Sequence, residues 1–105
     1  MNDNEFNALV EETFGQIEDI LDKDDMLSSF SMVALGVLEI ELPNSARIIV
    51  SYHSFSREIW VAALKGAYHF RWDKNCWQDT RGHGELFDVL TKLVINKMLN
   101  ERDQR

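Results

Sequence analysis

Apolar positions in this chain recur with two different periods, and the change of period divides it into elements. From Phe6 to Leu21 the spacing is helical. At about 100° per residue, Phe6, Val10, Phe14, Ile17 and Leu21 fall on one side of a wheel, with Leu9 and Ile20 at its margin. Asn2 followed by Glu5 has capping-box spacing, which predicts that the helix starts almost at the first residue. After Asp25 the helical period stops, and Met26–Ser29 reads as a connection.

Alternation of period two follows. Phe30, Met32 and Ala34 share one face of a first strand that ends at Gly36. Leu38, Ile40 and Leu42 alternate with Glu39 and Glu41 in a second. Arg47–His53, Glu58–Ala63, Ala67–Trp72 and Cys76–Asp79 read as further strands, separated at Pro43-Asn44-Ser45, Ser54-Phe55-Ser56, Lys65-Gly66 and Asp73-Lys74-Asn75. Beyond Gly82-His83-Gly84 the helical period returns in Leu86, Phe87, Leu90, Leu93, Val94 and Met98. Closely spaced turns between alternating strands predict an antiparallel meander. The expected fold is α+β: a two-layer α/β sandwich with the N- and C-terminal helices on one face of a five- to six-stranded antiparallel sheet. At 105 residues, 1–105 is expected to be a single domain.

Such a sheet leaves its other face to water, and strand parity says what stands there. With Ile48, Val50, Tyr52, Ile59, Val61, Ala63, Tyr68, Phe70 and Trp72 turned to the helices, the open face carries Ser51, His53, Trp60, Ala62, His69 and Arg71. A tryptophan among such neighbours is a candidate contact residue.

Charge changes the picture of the first helix. The opening twenty-five residues hold nine acids against Lys23 alone, a balance of −8 on a chain whose net charge is −7, so everything after Asp25 sums to +1. Glu11, Glu18, Asp22 and Asp25 lie within about 60° of one another on the wheel, clear of the core stripe. Repulsion at i,i+4, as between Glu18 and Asp22, and acids at the helix C-terminus both work against the helix. The plain account of the ridge is a solvated face; the functional account is a site for a cation or a basic protein. Carboxylates suit hard cations, and pairs such as Glu18 with Asp22 or Asp22 with Asp25 have spacing for weak, exchangeable binding. An acidic balance argues against nucleic acid and anionic membrane as partners. A lone Cys76, a polar start without a signal-peptide pattern and only short apolar runs make the cytoplasm the expected location. Cys76 sits in no nucleophile motif, His53 and His69 are more often surface groups than a metal pair, and a convex ridge supplies no cleft, so an enzyme is not expected.

Certain blocks are specific enough to carry a family resemblance. The acidic first helix, Glu58-Ile59-Trp60-Val61-Ala62, Gly66-Ala67-Tyr68-His69-Phe70, and Trp77 followed by Asp79-Thr80-Arg81 before a glycine and a leucine-rich helix resemble the bacterial frataxin (CyaY-like) family from Asn2 to about Leu93. The resemblance implies a protein that binds iron, ferric or ferrous, weakly and reversibly. It also implies a modulator of iron–sulfur cluster assembly whose acidic ridge docks on the cysteine desulfurase, with the cluster scaffold protein as a second partner and a monomer in the absence of metal. Carried over by position, Glu11, Glu18, Asp19, Asp22 and Asp25 would meet iron. Glu18, Asp19, Asp22, Trp60 and His53 would meet the assembly machinery. The chain departs from the family where Ser28-Ser29-Phe30-Ser31-Met32 replaces further acids on the first strand, and where Ser51, Tyr52 and His53 replace the usual Asn, base and Gln. Those departures motivate the alternative of an acidic interaction module with little or no physiological metal binding.

Overall fold

A computed structural model describes residues 2–23, 29–34, 36–42, 46–64 and 66–103, with the backbone alone for 29 and 95–103. The elements are α1 (Asp3–Asp22), β1 (Ser29–Ala34), β2 (Val37–Glu41), β3 (Arg47–His53), β4 (Glu58–Ala63), β5 (Gly66–Asp73), β6 (Cys76–Asp79) and α2 (Leu86–Asp103). The six strands form one antiparallel meander in the order β1-β2-β3-β4-β5-β6. The α+β sandwich expected from the period change is the fold observed, with six strands.

The capping box of α1 is formed. The Glu5 backbone N–H donates to the Asn2 side chain at 2.8 Å, and the Asn2 N–H donates to the Glu5 carboxylate at 3.4 Å. Two otherwise unpaired donors are satisfied at the helix end where negative charge is also favoured. The helix stops at Asp22, with Lys23 as its C-cap. Asp25, like the turn expected at Pro43-Asn44-Ser45, lies outside the described residues.

The core lies between helices and sheet. Phe6, Val10, Phe14, Ile17 and Leu21 of α1 and Leu86, Val89, Leu90 and Val94 of α2 meet Leu38, Ile40, Ile48, Val50, Ile59, Val61, Phe70 and Trp77. Each such side chain taken fully out of water contributes roughly 1.5–3 kcal/mol before chain entropy opposes it. Buried Thr13 joins the stripe without breaking it. Its hydroxyl donates to the Leu9 carbonyl at 2.8 Å and accepts from the Trp77 indole N–H at 2.9 Å, so a polar side chain in the core has both its partners.

Two sequence expectations are corrected. Ile20, placed at the margin of the core stripe, is 47% exposed, since it lies outside the set Phe6, Val10, Phe14, Ile17 and Leu21 that the core covers. On β1 the face assigned to Phe30, Met32 and Ala34 is covered only in part: Phe30 packs against the core, whereas Met32 is 43% exposed and Ala34 is exposed. β1 is an edge strand whose register shifts between Met32 and Ala34, an irregularity that interrupts the alternation of its two faces. The hairpin from β1 to β2 turns through Gly36, at φ 75°, with the Tyr52 ring lying where a Cβ would be.

Candidate functional site

The outer surface of α1 is a file of carboxylates with little to neutralise it. Glu11, Glu12, Asp19 and Asp22 are exposed and Glu18 is half-buried. None of the five makes an ion pair or side-chain hydrogen bond with a described residue. Asp3, at the start of the helix, is the exception: the Arg57 guanidinium donates to it at 2.8 Å while lying 5.9 Å from the centroid of Phe6. Among the described residues, the ion-paired arginines Arg47 and Arg71 belong to the sheet, where they meet Glu39, Glu41 and Glu58. The field of the first helix is therefore left to act on the surroundings.

Glu18, clear of the core stripe on the wheel, is the one of the five that is not fully exposed. It lines a cleft of about 420 Å³ between α1 and the strands, together with Val10, Phe14 and Gly15 of the helix and Met32, Gly36 and Tyr52 of the sheet.

As donors for a metal ion, the helix carboxylates are hard oxygens, exposed except at half-buried Glu18. Among the described residues no group of three or more His, Cys, Asp or Glu is arranged to hold an ion. One or two carboxylates with water completing the shell suit hard cations at low affinity. That is the fit the side chains present to iron: contact with exposed oxygens rather than enclosure in a cage.

The open face of the sheet carries a second feature. Trp60, half-buried at the centre of β4, is covered on both sides by imidazoles. His53 stacks on it at 3.7 Å between centroids and 25°, and His69 at 4.2 Å and 5°. Register sets this up, since Ser51 and His69 are the cross-strand neighbours of Trp60 and His53 is the diagonal one. The stack excludes His53 and His69 as a shared metal site, because the indole lies between them.

Beneath the stack, Glu58 is 6% exposed. It accepts from the Trp60 indole N–H and from Arg71 Nε, each at 2.8 Å, and lies 4.0 Å from His69 Nδ1. Burial acts to raise the Glu58 carboxyl, but the hydrogen bonds from Trp60 and Arg71, with the charges of Arg71 and His69, outweigh it. They hold the group below the ordinary carboxylate range. Ser51 Oγ lies 3.1 Å from His53 Nε2, so the outer imidazole is tied as well.

A third polar centre organises the loop before α2. Asp79 is 7% exposed and accepts from the backbone N–H groups of His69 (3.2 Å), Arg81 (3.2 Å) and His83 (3.1 Å), with the His83 ring Nδ1 at 2.6 Å. Burial again pushes the carboxyl up and is outweighed, here mainly by His83 through its backbone and ring, with the His69 and Arg81 amides. Cys76 stays apart from this pair: its sulfur bonds to the Asp73 carbonyl and the Gln78 amide.

The structure thus places Glu11, Glu18, Asp19 and Asp22 on one helix, and Trp60 and His53 together on the opposite face of the molecule. Glu58 and Asp79 were not singled out from the sequence as organising groups. The signal for Glu58 was its i,i+2 spacing from Trp60, which puts both on one strand face. For Asp79 it was a carboxylate just ahead of the Gly82-His83-Gly84 loop.

Comparison with known proteins gives one consistent result. The model of the frataxin-like domain matches residues 1–100. An iron-sulfur cluster assembly protein CyaY of Dechloromonas aromatica is 46% identical over 94 residues, covering 90% of each chain. The CyaY of Paraburkholderia phymatum is 36% identical over 97 residues, covering 92% of this chain and 91% of its own. Among solved structures, frataxin from Psychromonas ingrahamii superposes with a TM-score of 0.85 at 22% identity, covering 92% of this chain and 91% of its own. Trimeric yeast frataxin complexed with ferrous iron superposes at 0.67 and 21%, covering 88% and 83%. At those identities the structural likeness speaks to the fold.

Proposed function

Because the chain belongs to the frataxin-like family, we propose that it is an iron-binding modulator of iron–sulfur cluster assembly that docks its acidic helix on a cysteine desulfurase. The observation that carries the proposal is the state of the carboxylates on α1: Glu11, Glu18, Asp19 and Asp22 stand on one convex surface with no described cation against them. Relatives of this length are named for iron–sulfur cluster assembly, and a yeast relative of the same fold is described as complexed with ferrous iron. Iron on this reading is cargo, met by exposed oxygens and released again. The role asks for no catalytic residue.

The two faces divide the work. The helix supplies long-range attraction toward a basic surface, which accelerates encounter and is screened over about 8 Å at physiological salt. Trp60, held by Glu58 between His53 and His69, supplies a short-range contact to the assembly machinery, including the cluster scaffold protein. Steering and anchoring then lie on different elements. Cytoplasmic location and a metal-free monomer go with this reading. No helix among the described residues is long and apolar enough to cross a membrane.

A pull-down against the cysteine desulfurase tests the docking. Charge reversal at Glu18, Asp19 and Asp22 is expected to abolish capture, and capture by the native chain is expected to fall steeply with salt. Retention by the reversed variant would remove the reading.

A second reading has its own observation. Since no described group of three or more ligating side chains is assembled, the chain could dock without carrying iron. Anaerobic titration with ferrous iron, followed by amide NMR, separates the two. Selective broadening from Glu11 to Asp22 supports iron carriage, and a uniform spectrum supports the pure docking module.

A further inference from the structure

The carboxylate file on α1 has a gap, and the gap opens onto the cleft. Glu11, Gly15, Glu18 and Asp22 follow one another at spacings of four, three and four residues, so they run along one side of the helix. Three bear carboxylates and Gly15 bears nothing. Glycine inside a helix is unfavourable relative to alanine because more backbone freedom is lost there. Neither backbone nor packing demands it: the residue is helical, and a Cβ built on it meets nothing within 4 Å. What the missing side chain does leave is access to the space between helix and hairpin.

That space has a definite chemistry. Phe14, the partly exposed Met32 and Tyr52 give it apolar and aromatic lining, and Glu11 and Glu18 give it carboxylates. Glu18 is half-buried and has no ion-pair partner among the described residues. A charge in such partly desolvated surroundings attracts an opposite charge more strongly than one in open water. At about 420 Å³ the cleft is within the range that holds small organic groups. A bare cation gains little there, since it needs a shell of oxygens and the floor offers carbon.

We infer that the cleft is the anchor point for one arginine side chain projecting from the partner's basic surface. Its methylenes lie on Phe14 and Met32, and its guanidinium reaches the Glu18 carboxylate alongside the Tyr52 ring. This rests on the docking role proposed for the acidic helix and deepens it, turning a diffuse electrostatic contact into one with a specific socket. Arginine fits better than lysine because a planar guanidinium can lie against an aromatic ring while bonding a carboxylate, and it sheds water more readily than an ammonium group.

The test titrates the ¹⁵N-labelled full chain with N-acetyl-arginine amide and, in parallel, with N-acetyl-lysine amide. The arginine probe is expected to shift the amides of Gly15, Glu18, Gly36 and Tyr52 in a saturable way and to bind more tightly than the lysine probe. Gly15→Leu fills the cleft and leaves every carboxylate in place. It is expected to weaken the arginine probe and desulfurase capture by about tenfold or more, the scale of a lost anchor residue, with the melting temperature kept or raised. If the leucine variant does not fold, Glu18→Gln serves instead and is expected to remove the preference for arginine. Equal binding of the two probes, or native binding by whichever variant is used, would overturn the socket. Should Gly15→Leu capture the desulfurase normally while the triple charge reversal does not, the socket falls and the docking reading stands. Should neither substitution matter, both fall.

Discussion

The Trp77 indole N–H donates to the Thr13 hydroxyl at 2.9 Å, joining α1 to β6 across 64 positions of sequence inside the core. Thr13 passes its own hydrogen to the Leu9 carbonyl, so the link is a short relay with no donor left over. Thr13→Val keeps shape and volume but leaves the indole N–H buried without a partner. It is expected to cost about 1–3 kcal/mol, read as a lower denaturant midpoint with an unchanged slope.

Asp79 is expected to make the fold acid-sensitive. Its carboxyl is held below the ordinary value of 3.8, so it binds its proton less readily folded than unfolded. The stability it contributes is therefore complete above the ordinary value and is lost as pH falls through the lower folded value. Glu58 acts in the same direction from its ordinary 4.5. Chemical denaturation from pH 6 down to pH 2 should show the native chain losing stability. Asp79→Asn should start lower by up to about 3 kcal/mol, since hydrogen bonds to a charged acceptor are weakened, and should fall less steeply.

Removing the charge at Glu58 tests how Trp60 is held. Glu58→Gln retains size but weakens both 2.8 Å bonds, to the indole N–H and to Arg71. The indole N–H resonance of Trp60 is expected to move and broaden, and capture by the assembly partner to weaken several-fold, about 1 kcal/mol. The carboxylates of α1 are untouched, so the salt dependence of that capture should keep its slope.

Two glycines should respond to alanine with opposite sign. Gly36 sits at φ 75° with the Tyr52 ring in the path of a Cβ, so Gly36→Ala is expected to cost roughly 1–3 kcal/mol and displace that ring. Gly15 is helical with open space around it, so Gly15→Ala is expected to stabilise by about 0.4–1 kcal/mol. Parallel thermal melts of the two variants decide both signs.

Period alone was enough to place the elements, because each apolar face is met by another element. Phe6 to Leu21 read as one stripe and packs as one. Where the reading was incomplete, the missing information was register. Parity put His53, Trp60 and His69 on the open face, but their stacking requires Ser51 opposite Trp60 and Trp60 opposite His69. Glu58 could be given no partner until pairing of β4 with β5 set it opposite Arg71. Met32 alternated like a core residue, and only the position of β1 at the sheet edge leaves it half in solvent. The carboxylates of α1 were legible because a helix wheel needs no partner to be drawn. The cleft beside them was not, since it depends on which sheet residues come to lie beside the helix.

The distribution of indoles gives the molecule a built-in optical gauge. Trp72 and Trp77 meet edge-on at 5.4 Å in the layer between sheet and helices, whereas Trp60 lies on the far side of the sheet between two imidazoles. Emission from this chain thus has two sources separated by the thickness of a sheet. One brightens or dims with the seating of the helices, and the other with whatever approaches from outside.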